Sequence, residues 1–537
     1  MQFFNNLNKT KALLFSANIL LVFFLILLSN LKVIPLRAGD FIFFALLTLA
    51  LALYRPGWAF LFFAGSIALE NINLAPESLG IAVRPYQFFG ALAILAILFR
   101  FASKKLYFEI VKPKWYDWLL VGMAGAGFLS ALGASDKGMS LKFSIILASF
   151  VALYFLVKNY IQNSEDLKRV LPFFLSSGAI VVLYGIWQNI RFLGGLSNFE
   201  VMPGRPNATF LEADWLGMYL VLLISVIYAL SYYFQSRAED DPEKIINHQP
   251  PTANKFSNHF PWIVLFLFLI FCFILLILTV SRSAWLGALA VTFIHLFAGF
   301  TQLRFHPKGW QWKGTIKTKL SILFSLLIAL GTVHVFHLTN FQLFNRAAST
   351  GTGMQKITIS CQGDIAKVPE VIERADDLER YGCRHINLEE IEKERIANNI
   401  VTEIYRKDPN INVRAQIYQK TWQEIKRNPV LGIGWGNIGS ILGSDGRGAT
   451  LNSSNIFLEI WLGSGIIGLV CFIVLLFHIL FSATRRFFHS RDINQKSLNL
   501  FIISSWFGVI VFNLFNAGIF LAILWMWLGV SNVKSEE

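Results

Sequence analysis

The sequence predicts an all-α integral membrane protein with about twelve to fourteen transmembrane helices and one large, mainly helical extracytoplasmic loop. Three observations carry this prediction. Of 537 residues, 55% are hydrophobic and only 15% charged, and mean hydropathy is +0.54, outside the range of soluble domains. The apolar residues recur in runs of about 18 to 20, the length of helix that crosses a hydrocarbon core. The basic residues gather in alternate short loops between those runs, as topology signals do.

Taken in order, the runs place spans near 12–29, 40–54, 57–74, 86–102, 116–133, 140–157 and 169–188. They continue at 215–234, 261–280, 284–300, 319–337, 455–481, 498–515 and 517–532. The second and third are short enough to form one re-entrant unit. The first run, Ala12 to Leu28, has no small-residue cleavage site after it and reads as a signal anchor. Residues 1–337 thus form a bundle of about eleven spans, 338–454 a loop domain, and 455–537 the C-terminal membrane helices.

Counting loops from an inside N-terminus, the even ones carry the cations: Arg100, Lys104, Lys105, Lys112 and Lys114, then Lys158, Lys168 and Arg169. Later even loops hold Arg304, Lys308, Lys313, Lys317 and Lys319, and Arg485, Arg486, Arg491 and Lys496. Both termini are then cytoplasmic. The odd loops, including 189–214, 281–283 and 338–454, are extracytoplasmic. The formal net charge of +14 belongs to this pattern, because no basic stripe interleaved with aromatics marks a nucleic-acid surface.

In the long loop, Asn387-Leu-Glu-Glu-Ile-Glu-Lys-Glu-Arg-Ile reads as a helix with Asn387 as its cap, and Val413 to Lys426 as an amphipathic one. Pro429 ends the second, and Gly432, Gly434, Gly436 and Gly439 make a turn before the chain re-enters the membrane. Cys272 and Cys471 lie inside apolar spans, whereas Cys361 and Cys383 share the loop. In an oxidising compartment those two form a disulfide; two free thiols are the alternative.

Chemistry-bearing residues sit at span ends on the extracytoplasmic side. Arg282, in Thr279-Val-Ser-Arg-Ser-Ala-Trp-Leu-Gly287, occupies a hairpin so tight that its guanidinium stays at headgroup level. There a planar cation suits a diphosphate, although a snorkelling Arg that anchors the hairpin fits as well. Arg205, in Pro203-Gly-Arg-Pro-Asn-Ala-Thr-Phe-Leu-Glu-Ala-Asp-Trp215, is a second phosphate clamp by the same reasoning. Glu212 and Asp214 are either bases or charges at a helix N-terminus. His334 and His337 read as interfacial packing. No acidic metal cluster and no Gly-rich nucleotide loop is present, so the reading needs neither metal nor cofactor.

Further on stand Asn412-Val-Arg-Ala-Gln-Ile-Tyr-Gln-Lys-Thr-Trp422, Asn428-Pro-Val-Leu-Gly-Ile-Gly-Trp-Gly436 and Asn452-Ser-Ser-Asn-Ile-Phe-Leu-Glu-Ile-Trp-Leu-Gly-Ser-Gly-Ile-Ile-Gly468. The ordered set of a Ser-Arg turn, a long loop, an Arg-to-Trp helix, an Asn-Pro-x-x-Gly-x-Gly turn and an Asn-x-x-Leu-Glu helix resembles the O-antigen ligase/polymerase family. The motifs cover roughly the second half of the chain. The resemblance implies a glycosyltransferase of the bacterial inner membrane that moves glycan from a polyprenyl (undecaprenyl) diphosphate carrier to an acceptor sugar in cell-surface polysaccharide biosynthesis. Its partners would be a lipid-linked oligosaccharide donor, a glycan or glycolipid acceptor and membrane lipids. Arg282 would bind the diphosphate, and Arg205 and Arg414 the headgroup or glycan, with Ser454 and Asn455 also substrate-binding. Asn455, Leu458 and Glu459 match the family's His-Asn-x-x-Leu-Glu stretch, but Ser454 stands where the family has its acceptor-activating histidine. Serine does not take up a proton near neutral pH, which leaves a polymerase, or another base such as Glu459 or Glu212, as the alternatives. A branch linked to bicarbonate uptake, a cyanobacterial one, supplies a second functional class. A transporter would place ionisable residues mid-membrane and break its helices in symmetric pairs.

Overall fold

The computed structural model describes residues 9–106, 108–197, 199–202, 204–240, 255–305, 312–339, 343, 353–362, 365–373, 375–386, 390–407, 409–443 and 451–533. Eleven apolar helices precede the long loop: α1 Lys9–Asn30, α2 Ala38–Tyr54, α3 Pro56–Ser66, α4 Pro85–Ala102, α5 Asp117–Gly133, α6 Lys137–Tyr160, α7 Ser164–Leu193, α8 Ala213–Asp240, α9 Lys255–Leu278, α10 Arg282–Phe305 and α11 Trp312–Val335. Each falls on one of the predicted runs. Seven helices of the whole chain are long and apolar enough to cross a bilayer, and six more are apolar helices of 10–17 residues, among the described residues. Local chemistry sets many of the starts. Proline stands at the first position of α3 and α4, where its missing N–H costs nothing. Asp136 and Asn163 cap α6 and α7 by accepting from Met139 and Asp166.

The third span departs from its expected length. Helix α3 stops at Ser66, and the chain continues to Pro85 with only a single 3-10 turn, much of it buried. Its backbone groups find partners in the bundle instead of in a helix. Asn71 N–H donates to the Thr209 carbonyl at 2.8 Å, and Asn73 Oδ1 accepts from Ala75 and Val83.

The long loop contains more than helices. Strands β1 Met354–Cys361, β2 Val371–Ile372, β3 Cys383–His385 and β4 Ile400–Lys407 form a sheet in the order β2-β4-β1-β3. Beside its helices, the expected mainly helical loop thus holds a small α/β unit in residues 353–407. The reason lies in Ile357-Thr-Ile-Ser and Ile400-Val-Thr-Glu-Ile-Tyr, β-branched and aromatic stretches that suit a pleated surface better than a helix. Cys361 and Cys383 are directly opposite in the β1–β3 register and are joined by a disulfide. The helix expected from Asn387 shrinks to α12, Ile391–Ile396, and Asn387 itself lies outside the described residues. The amphipathic helix expected at Val413 to Lys426 is α13, Pro409–Arg427, followed by the short α14, Ile438–Leu442.

After the loop come α15 Ile456–His489, α16 Ile493–Asn513 and α17 Ala522–Ser531. They complete the first bundle: α15 packs on α5, α16 on α8 and α10, and α17 on α6. All ten residues of α17 are buried. Helix α15 is broken at Gly465, whose φ of 65° leaves helical space.

The loops segregate to two ends. At one, Leu36 bonds Leu74, Thr209 bonds Ala68, Asp136 bonds Asn437 and Asn189 bonds Leu338. At the other, Arg100 donates to the carbonyls of Leu53 and Tyr54, Lys158 pairs with Asp117, and Arg486 donates to Val533 O at 2.6 Å. Among the described residues these odd loops share the first end and these even loops the second, as a succession of alternating spans requires.

Candidate functional site

The odd-loop end is where α8, α10 and α15 begin and α9 and α16 finish. Three helix N-termini thus lie at this end of the bundle. Arg205, on the loop before α8, donates through Nε to the Thr279 carbonyl at 2.9 Å and through a terminal nitrogen to Asp214 Oδ1 at 3.4 Å. Ser281 Oγ donates to the same oxygen at 2.5 Å. Ser281 and Ser283 hydroxyls are 3.2 Å apart, and Asn516 Nδ2 donates to Ser283 Oγ at 2.8 Å. The Arg205 loop, the α9–α10 hairpin and the α16–α17 connection are so tied into one polar cluster. Arg282, half-buried between the two serines, is the first residue of α10.

Beside this cluster lies a small cleft lined by Val201, Met202, Arg205, Asn207, Glu212, Ala213 and Asp214. It gathers three residues singled out from the sequence: Arg205, Glu212 and Asp214. Pro203, from the same motif, lies outside the described residues. Glu200, at the root of the same loop, accepts from Gly204 N–H at 2.9 Å, and partial burial pushes its carboxyl up to about 7.

From the other side α13 brings Arg414. Its guanidinium donates to the Phe515 carbonyl at 3.3 Å, lies 5.8 Å from the centre of the Phe515 ring, and its charge reaches Asp214. Asn455 caps α15, accepting from Phe457 and Leu458 N–H, and donates to Leu514 O at 3.1 Å. Arg414, Asn455 and Ser283 thus all grip the segment 514–516 at the end of α16.

Two residues expected to act also take part in the local fold. Glu459 is buried and accepts the Ser453 N–H at 2.8 Å, so its carboxylate braces the turn 453–455. Ser454, at φ 51°, accepts the Tyr418 hydroxyl on its carbonyl at 3.3 Å and donates its N–H to Asn452. His334 and His337 are exposed at the end of α11, with ring centres 6.3 Å apart.

The glycine-rich turn has a physical explanation. Residues 428–437 dock against the break in α15: Ile433 N–H donates to Leu462 O at 2.7 Å, and Pro429 O accepts from Ile466 N–H at 3.2 Å. Trp435 is wholly buried and donates to Ser464 Oγ at 2.7 Å. Gly463 gives it room, since a Cβ there would meet the indole at 2.3 Å. The backbone groups freed by the broken helix are satisfied by the protein's own loop.

Reading the sequence missed Ser283, Asn516 and the buried cluster of Glu70, Arg84 and Tyr86. Glu70 Oε1 accepts from Ala522 N–H at 2.9 Å, and Oε2 from Tyr86 at 2.9 Å, with Arg84 Nε 3.2 Å away. The available signal was a carboxylate inside an apolar run.

Residues 267–473 match the family model described as O-antigen ligase. The matched stretch contains Arg282, Arg414, Ser454, Asn455 and Glu459 and runs from α9 to the middle of α15. No curated protein and no solved structure matches the chain.

Proposed function

We propose that this chain, whose 267–473 segment belongs to the O-antigen ligase/polymerase family, transfers glycan from a polyprenyl diphosphate carrier to an acceptor sugar. The reaction takes place at the outer face of the bacterial inner membrane, with both termini in the cytoplasm. The single observation that carries this reading is the approach of Arg205 and Arg414 to Asp214 at the end of the bundle where Arg282 begins α10.

The acceptor hydroxyl attacks the anomeric carbon of the donor sugar, a new C–O bond forms, and the bond from that carbon to the diphosphate oxygen breaks. The electron pair leaves with the carrier diphosphate, whose developing charge in this reading is stabilised by the guanidiniums of Arg282, Arg205 and Arg414. Arg282 is the principal clamp. Arg205 is held rigid by Thr279 O and Asp214 and supplies orientation as well as charge. The hydroxyl proton passes to Glu212, which lines the cleft. Asp214 is less suited, being occupied by Arg205 and Ser281, and Glu459 is turned into its own turn. Transport of bicarbonate gains nothing from the fold, because the break in α15 is filled by the loop 428–437.

The test is turnover of a polyprenyl-diphosphate oligosaccharide by the protein in nanodiscs. Transferred or lengthened glycan that disappears in Arg282→Ala supports the reading, and product size separates ligase from polymerase. Absence of turnover with several carriers, together with solute flux in proteoliposomes, overturns it.

A further inference from the structure

Helix α13 belongs by sequence to the extracytoplasmic loop, yet its surroundings are those of a membrane boundary. One face, Ile417, Thr421 and Ile425, is buried against Ile433, Ile438, Leu442 and Leu462. The flank beside it carries Trp422, 47% exposed, and the exposed Lys426. Trp422 meets Trp461 of α15 edge-on at 6.0 Å, and Lys426 Nζ lies 5.9 Å from the centre of the Trp422 ring. Val430 and Leu431 follow, also exposed, beside the Gly465 break.

Below that break, α15 exposes Ile467, Val470, Val474, Phe477 and Phe481, a stripe with helical spacing and no charge that ends at the exposed Arg485 on the same face. From Ile467 to Arg485 the rise is about 27 Å at about 1.5 Å per residue, close to a hydrocarbon core of about 30 Å. Arg485 and Arg486 frame its lower end. Val430, Leu431, Trp461, Trp422 and Lys426 therefore continue a lipid-facing stripe past the end of the hydrocarbon, to the level where tryptophan and lysine are favoured.

We propose that α13 is an interfacial helix whose Trp422–Lys426 end is seated in the headgroup layer and held there by anionic phospholipid. Its other end carries Arg414 over the segment 514–516. About 18 Å of helix, from residue 414 to 426, then joins the bilayer rim to the polar cluster at Asp214. Charge favours phospholipid over a neutral glycan as the occupant, because Lys420 and Lys426 are exposed on the same helix. Stacking of a sugar on Trp422 is the competing occupant. This inference does not depend on the proposed reaction.

The experiment places single nitroxide labels in full-length protein with Cys272 and Cys471 replaced by alanine, the loop disulfide being kept. Labels go at Gln423 and Val430, with Phe477 as the lipid reference and Tyr405 of the sheet as the water reference. Protein is reconstituted in phosphatidylcholine vesicles with and without phosphatidylglycerol, and collision with oxygen is compared with collision with a water-soluble nickel chelate. The expected oxygen-to-nickel ratio at 423 and 430 lies between the two references, several-fold above that at 405, and rises with phosphatidylglycerol. Trp422→Glu is expected to lower the ratio at 430 several-fold, whereas Trp422→Phe keeps it. Ratios at 423 and 430 equal to that at 405 in both lipids overturn the proposal, as does shielding of those labels by a soluble oligosaccharide while the ratios stay water-like. An unchanged ratio in Trp422→Glu overturns the anchoring role.

Discussion

Replacing Gly465 by alanine tests whether the docked turn 428–437 is held by the break in α15. The backbone there has φ 65°, and an added Cβ would lie 1.9 Å from the Val430 carbonyl oxygen. A non-glycine residue in left-handed space costs about 1–2 kcal/mol. The clash involves backbone on both sides, so no side-chain rotation relieves it; the 428–432 strand of the turn must retreat by more than an ångström. That movement pulls apart the Ile433–Leu462 and Ile466–Pro429 hydrogen bonds, at about 1 kcal/mol each. The expected loss is about 3–4 kcal/mol, and more where Trp435 is dragged from its site, since emptying a buried Trp position costs about 3–5 kcal/mol. Gly125→Ala is the control: Gly125 is helical with nothing within 4 Å of a Cβ, so the substitution is neutral or stabilising by up to about 1 kcal/mol. Thermal unfolding of purified protein in one detergent, followed by tryptophan emission, reads both. A Gly465→Ala protein that unfolds with the wild-type midpoint and spectrum refutes the docking argument.

Other outcomes follow from single groups. Arg282→Ala is expected to abolish glycan transfer while leaving the unfolding midpoint nearly unchanged, because the residue is half-exposed at a helix start; a large fall in the midpoint assigns it to the fold instead. Glu394, which accepts from Ser360, Asn399 and Arg384, has its carboxyl lowered to about 2 from 4.5 by those bonds. Its contribution to the sheet unit is complete above about 4.5 and is lost as pH falls toward 2; Glu394→Gln removes that acid dependence, read by hydrogen exchange of β1 and β3. Glu200 has the opposite sign. Burial raises its carboxyl from 4.5 to about 7, so its share of stability is present below 4.5 and is lost as pH rises to 7, and Glu200→Gln flattens the unfolding midpoint over that interval. Trp435→Phe, which keeps the ring and loses the bond to Ser464, is expected to cost about 1–3 kcal/mol through the hydroxyl left buried.

The membrane helices were legible because lipid imposes a length and a composition on every span, and local residues such as Pro85 and Asp136 mark the starts. Where that constraint lapses, legibility lapses with it. Helix α3 ends early because Thr209 and Asn73 supply partners for backbone that a lone span would have to satisfy internally, and nothing in residues 57–74 announces a partner more than a hundred residues away. The sheet was missed because β1 and β4 stabilise each other across 40 residues, while the intervening Glu- and Lys-rich stretch carries a helical pattern. Arg205 and Arg282 were visible as cations at span ends, and Arg414 through the resemblance carried by its loop motif. Asn516, a neutral residue in an apolar C-terminal stretch, becomes meaningful only when Ser283 is seen to bond it.

Glu70 shows why the half of the chain outside the matched stretch matters to the site. Residues 68–71 hold two walls at once. Ala68 O and Asn71 N–H bond Thr209, on the loop that carries Arg205, while Glu70 receives the first N–H of α17 and so fixes the far end of the connection 514–521. That connection is the surface gripped by Arg414, Asn455 and Ser283. The separation between Arg205 and Arg414 is consequently set by an irregular segment that belongs neither to the Arg205 loop nor to the Arg414 helix. A buried carboxylate is expensive unless its hydrogen bonds and charge are satisfied, and Arg84, Tyr86 and Ala522 do so here. What the arrangement gains is rigidity: guanidiniums that repel one another stay close only when the backbone carrying them is fixed in advance. This is the condition under which positive groups stabilise a departing diphosphate without first reorganising.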